Sequence, residues 1–512
     1  MSMKEEASVI ARTLESIVSV GDMTNNVGGT SDGKVSSMLF ATSLIGVMAA
    51  CIFTYENSVA EDDNITDYEE VLYILLALLI LSTFFWVIYI TLSYVRPNMI
   101  IQHVDTGKNR TTSLICGFLW IFGLGVMLYQ CLNIIINFTC SENFNGKPRI
   151  RYQQSGLNRI VHFVSVCIQL IAITRLSKCI LKRNMFVNYS LSLILLTNMA
   201  MWFFTSSRIL FDRINKNIIN ETGEIPEIQC YWNSTIQTQI LQKSHSIFTS
   251  LMTNSSLLTV CVIADMLPEI CDSRISYDPA SSGGSAETSS GTGSSITYYW
   301  ISLRRLFRRD LKFPLLAMMT LLPCLIVFIC SLFQNIFTNY TMIICWMFFS
   351  TLSACAMALT TLYGFSITRQ HSFTTGAVNH NGLLRKPNLS ILFSLGDISY
   401  CVLIIMSTGN HVFSYLFLLR YSIEITQVFL QTIFMIYLTK LQKIDPSLIK
   451  GLSIFLTLGN FLFWIFSEYS RHLNDPTKYF GTQWFSFRDA FFPVLSFYRL
   501  YSFMNFSRYA LL

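Results

Sequence analysis

Charge is what this sequence has least of. Only 13% of its 512 residues are Asp, Glu, Lys or Arg, against roughly 25% in a soluble domain. Hydrophobic residues make up 52% and aromatics 14%. So few solvating groups cannot cover a globular core of that size, whereas a bilayer accepts such a chain. Soluble enzymes, nucleic-acid binders and disordered scaffolds are thereby excluded as its main identity. Other absences narrow the field. The fourteen cysteines form no CxxC pair, which removes a clustered zinc site. Cys51, Cys116, Cys330 and Cys355 lie inside apolar runs, where a thiol acts as a small hydrophobe. There is no HExxH, no GxSxG and no phosphate-binding glycine loop. No enzymatic chemistry and no cofactor are therefore expected. Of eleven prolines only Pro323 falls deep inside an apolar run, few for a transporter built on broken helices.

What is present is length. A helix needs about 20 apolar residues to cross the hydrocarbon. Twelve runs meet that need, near 36–55, 71–94, 113–137, 160–181, 187–210, 244–266, 313–334, 341–364, 390–409, 412–439, 450–467 and 486–506. The expected fold is an all-α integral membrane protein. Its parts are a polar tail without a cleavable signal (1–35), a first six-helix bundle (36–266), a Ser/Gly-rich and basic linker (267–312) and a second six-helix bundle (313–512). Basic residues such as Arg96, Lys182, Arg304, Arg305 and Lys440 gather in the loops on the side of the termini, and Glu61, Asp62 and Asp63 in an opposite loop. Both termini are therefore expected in the cytoplasm. The sequons at Asn64, Asn137, Asn220, Asn233 and Asn339 then face outward as glycosylation acceptors. Cys140 and Cys230 fall in outer loops and form a candidate disulfide, with free thiols as the alternative. His162, His245, His411 and His472 map to outer helix ends or loops, where imidazoles can answer mild acid.

The runs repeat. An offset of 262 separates Gln169 from Gln431, Asn198 from Asn460 and Trp202 from Trp464. With six spans per half, the two copies are expected in parallel orientation. Membrane amides commonly just hold helices together, yet a pair recurring at fixed spacing argues for a polar spot in each bundle. Ionisable groups inside the spans each need a reason. Arg420 and Glu424 stand at i,i+4 and are expected to satisfy one another. Arg499 is expected to snorkel or to bond buried carbonyls, and Asp397 has no opposite charge near it in sequence.

Through these residues the chain resembles the otopetrin family of proton channels. The likeness runs through Arg96-Pro and Asp105, Leu119-Trp-Ile-Phe-Gly-Leu-Gly125, Asn198 with Trp202, and Gln427-Val-Phe-Leu-Gln431. It continues in Asn460 with Trp464 and in Pro493 to Ser502. The resemblance implies two six-helix barrels per chain, a homodimer in the plasma membrane and proton-selective conduction raised by external acid. It also implies block by zinc at outer histidines. The polar groups Gln169, Asn198, Asp397, Gln431 and Asn460 match the family's conduction sites, and Asn254, Ser255, Tyr498, Arg499 and Tyr501 match its interface between halves. Two departures stand out: Asn254-Ser255-Ser256 where otopetrins show Glu-Tyr-Ser, and Leu500-Tyr501-Ser502 where they show Phe-His-Ser. Both remove titratable groups. The rival expectation is a twelve-span proton-coupled secondary transporter, whose loop signature is missing from Met99–Arg110.

Overall fold

Where no water can satisfy a backbone amide, a run of Leu, Ile, Phe and Val has little choice but to become a helix. The computed structural model describes residues 66–104, 110–143, 147–177, 179–182, 184–222, 236–267, 312–333, 340–368, 387–407, 414–440, 446–473 and 485–511, with 42, 43 and 46, and they are almost all helical. Nine of the described helices are long and apolar enough to cross a membrane. Among the described residues every candidate membrane-spanning segment is a helix, as in an all-α membrane protein. It divides into two compact units, Met1–Pro268 with Gly382–Leu384 and Glu269–Asn381 with Arg385–Leu512.

The first unit holds α1 (Thr66–Val95), the single turn α2 (Pro97–Ile100), β1 (Ile101–Val104), α3 (Arg110–Asn143), α4 (Lys147–Leu176), β2 (Cys179–Leu181), α5 (Met185–Thr222) and α6 (Ile236–Met266). Pro97 starts α2, a position that needs no backbone donor. β1 and β2 pair antiparallel, Val104 opposite Cys179 and Ile101 opposite Leu181. That pairing puts the ends of α1 and α4 on one side of the membrane, as two crossings between them require. The long helices close a ring: α1 packs on α4, α4 on α3, α3 on α6, α6 on α5 and α5 on α1. Gly123 and Gly125 let α3 come close to its neighbours, since a Cβ there would lie 2.6 Å from Leu170 and 2.5 Å from Leu251.

The second unit holds α7 (Lys312–Phe333), α8 (Tyr340–Thr368), α9 (Pro387–Ser407), α10 (Ser414–Lys440), α11 (Pro446–Leu473) and α12 (Phe485–Leu511). Here α8 packs on α10, α10 on α9, α9 on α12, α12 on α11 and α11 on α8, with α7 against α8 and α11. Both units are inverted relative to a soluble protein. Phe84, Leu128, Phe348 and Leu392 are exposed, while Gln130, Asn188, Gln431 and Asn460 are wholly buried.

Two differences from the sequence expectation have local causes. The expected span at 160–181 is displaced to Tyr152–Leu176, because the chain leaves the helix for β2. α12 is a helix of 27 residues but not among the nine apolar ones, since it spends positions on Tyr498, Arg499, Ser502 and Asn505. α7 is a 22-residue, strongly apolar helix that carries Pro323 in its interior. The expected first span, 36–55, lies outside the described residues apart from three positions.

Candidate functional site: the buried polar columns

Each unit carries a reciprocal amide pair. In the first, Gln169 on α4 donates to Asn198 Oδ1 on α5 at 3.2 Å, and Asn198 donates back to Gln169 Oε1 at 3.2 Å. In the second, Gln431 on α10 and Asn460 on α11 exchange the same two bonds at 3.1 Å. The second Nδ2 proton of each Asn goes to the carbonyl four residues earlier, Ile194 at 2.9 Å and Leu456 at 2.7 Å. Those carbonyls too are 262 residues apart. A hydroxyl from the last helix of each unit completes the set: Thr259 accepts from Gln169 at 3.2 Å, and Tyr498 from Gln431 at 3.3 Å. The alternation of amides and hydroxyls, each both donor and acceptor, is what a water thread needs from its walls.

The surroundings of the two pairs differ. The first pair borders a cavity of about 30 Å³, lined also by His162, Ser165, Thr197 and Ser255, room enough for a water or two. The polar column continues beyond it. The Nδ1 of His162 meets Gln130 Nε2 at 2.9 Å, and Gln130 Oε1 accepts from Arg159 at 3.4 Å. His162 was expected at an outer helix end. Because α4 begins at Lys147, the residue instead lies midway along the helix and is buried.

In the second unit side chains fill the equivalent column. Gln427 donates to Gln431 Oε1 at 2.6 Å and accepts from Arg499 Nη1 at 2.6 Å. Arg499 also holds Glu424 at 2.5 Å and Asp397 at 3.4 Å, and Arg420 holds Glu424 at 2.8 Å and Ser350 at 2.9 Å. Both guanidiniums lie over the Phe463 ring, at 5.4 and 5.5 Å. Two cations thus meet two carboxylates in one buried cluster. Asp397, Cys401 and Glu424 bring ligand atoms within 4.8 Å of one another, but Arg499 already supplies a cation among them. The expectation that Arg499 snorkels is replaced by full ion pairing, and Asp397, isolated in sequence, has its counter-ion from α12.

The remaining candidates fall as follows. Asn254 donates to Ser250 on its own helix at 3.0 Å, and Ser255 lines the first cavity. Tyr498 and Tyr501 bond within the second unit, to Thr432 and Ser390 respectively. Cys140 is buried and disulfide-bonded; Cys230 and His411 lie outside the described residues, as do the side chains of His245 and His472. Asn137 is 1% exposed within α3, so its sequon is shut off from a glycan. Sequence reasoning missed Gln130, Ser165, Thr259 and Ser350. Gln130 was open to discovery as a lone amide in an apolar run; the small hydroxyls carry no such signal.

No protein-family model matches this chain, and no curated protein matches its sequence. The fold and polar columns define the class, a helical membrane protein with water-sized polar space inside.

Proposed function

We propose that the protein is a proton channel of the otopetrin type, with the interior of the first unit as its route. The observation that supports this reading is the cavity bounded by the Gln169–Asn198 pair. Its walls offer amide and hydroxyl groups that orient waters without trapping an ion, and its size excludes a hydrated sodium or potassium ion. Protons need only the hydrogen-bonded thread. In the second unit the same column is packed with Gln427, Tyr498 and the Arg499 cluster, and we assign it a structural role.

Two rings with the same packing order and amide pairs at one offset support duplicated parallel bundles, twelve spans in all. With that topology both termini lie in the cytoplasm of a plasma-membrane protein. The family likeness adds a homodimer, activation by external acid and inhibition by zinc; Cys230, placed in an outer loop by the sequence, is the proposed partner of the disulfide-bonded Cys140. The test is whole-cell recording during stepwise external acidification with simultaneous intracellular pH. The expected result is an inward current that reverses at the proton equilibrium potential and is indifferent to replacing sodium by a large organic cation. Silence, or uptake that requires a solute, defeats the channel reading and favours the transporter.

A further inference from the structure

The hydrogen-bond logic around His162 fixes its state. Arg159 can only donate, so Gln130 must offer it Oε1 and turn its amide NH₂ toward His162. Nδ1 of His162 is then an acceptor, and the ring is neutral with its proton on Nε2. A further proton on Nδ1 would face the Gln130 NH₂ donor to donor. That state is accommodated only if the Gln130 amide turns over, and its Oε1 cannot then stay on Arg159.

Gln130 from α3 meets the ring, and the cavity that His162 lines presents neutral groups from its other walls: Leu79 from α1, Thr197 and Asn198 from α5, Ser255 from α6. Arg159, on α4 itself, is the charged group set against it among the described residues. The internal repeat sharpens the contrast. The residue 262 positions after His162 is Glu424, and 262 after Ser165 comes Gln427. Where the second unit has a carboxylate clamped by two arginines and a long amide filling space, the first has an imidazole bonded to the neutral Gln130 amide and a small hydroxyl beside a cavity.

We propose that His162 is the proton-binding residue of the first unit's route, and that its protonation releases Gln130 from Arg159. One proton arrives on Nδ1 as the Gln130 amide turns, one leaves from Nε2 toward the cavity waters, and the ring returns to neutrality. With α4 oriented as proposed above, Arg159 stands on the outer side of His162, so the latch meets external acid first. The inference rests on the channel reading and deepens it.

The test uses the full-length chain in proteoliposomes with a pH-sensitive dye inside. Wild-type vesicles must first acidify; their failure to do so refutes conduction itself, separately from the role of His162. Given wild-type flux, His162→Gln is expected to lower it at least tenfold at equal folded protein in the vesicles. Arg159→Gln, which removes a cation from beside the ring and the group that holds the Gln130 amide, is expected to move the acid dependence of the flux toward neutral pH. A merely structural role would not produce that shift. Wild-type flux in His162→Gln, or an unmoved pH profile in Arg159→Gln, overturns the proposal; the second arm decides it should His162→Gln fail to fold.

Discussion

Arg499 is the residue on which most of the second unit's interior depends. All three of its nitrogen groups are engaged, by Asp397, Gln427 and Glu424, and it is 1% exposed. Removing one partner of a buried ion pair leaves an uncompensated charge, at a cost of about 3–5 kcal/mol. Arg499→Met strands Asp397 and Glu424 with Arg420 as their single counter-ion. The expected outcome is a large loss of folded protein and a lower melting temperature in detergent, read by tryptophan fluorescence. Adding Asp397→Asn should recover part of the loss, because it removes the charge most weakly served. A double variant no better than Arg499→Met would show that the cluster does not work as a charge balance. The cluster was half legible in the sequence. Arg420 and Glu424 lie one turn apart and announce themselves, whereas Asp397 and Arg499 come from different helices, and no local pattern couples them.

At the scale of helices, close approach is bought with glycine. A Cβ on Gly396 in α9 would fall on Val494 of α12, with Val494 Cβ itself 2.9 Å away. Valine is stiff at χ1 and has no flexible end to swing aside. Gly459 is the opposite case, since a Cβ there meets the soft thioether of Met357 at 2.8 Å. Gly396→Ala should therefore destabilise by about 1–3 kcal/mol, the usual range for overpacking, and Gly459→Ala by clearly less. Thermal unfolding of both variants beside Gly396→Ala/Val494→Ala checks the assignment, with the double variant expected to regain most of the difference. Equal losses at the two glycines would contradict it. Helix existence was readable from apolar length alone, as α1, α3 and α8 illustrate. Helix ends were not. α4 extends thirteen residues before the expected span through Lys147–Arg159, where polar residues hide the helix from a hydropathy argument, and this hid the burial of His162.

For the whole molecule, amide pairs at one offset in the sequence give two polar columns, and differences in side-chain volume between them underlie the proposed division of roles. Ser165 stands at the repeat position of Gln427, and Thr259 occupies the role of Tyr498. Each exchange puts a smaller side chain in the first unit, and Ser165 lines the cavity beside Gln169. The amide repeat could be read in the sequence because identical residues recur; the cavity could not, because it is made of what is missing around them. The asymmetry predicts opposite phenotypes for equivalent substitutions. Gln169→Leu keeps the volume but strips the cavity wall of its donor and acceptor. A membrane hydrogen bond is worth about 0.6–2 kcal/mol, so the fold should survive while current per surface molecule falls tenfold or more. Gln431→Leu removes partners from Gln427, Asn460 and Tyr498 in a filled interior, where stranded polar groups have no water to turn to. Surface protein should then fall severalfold, while the molecules that do arrive carry current like the wild type. Recording both variants with surface biotinylation separates the two effects. If Gln431→Leu reaches the surface normally and silences the current, the route belongs to the second unit, and the division of labour drawn from the cavity is wrong.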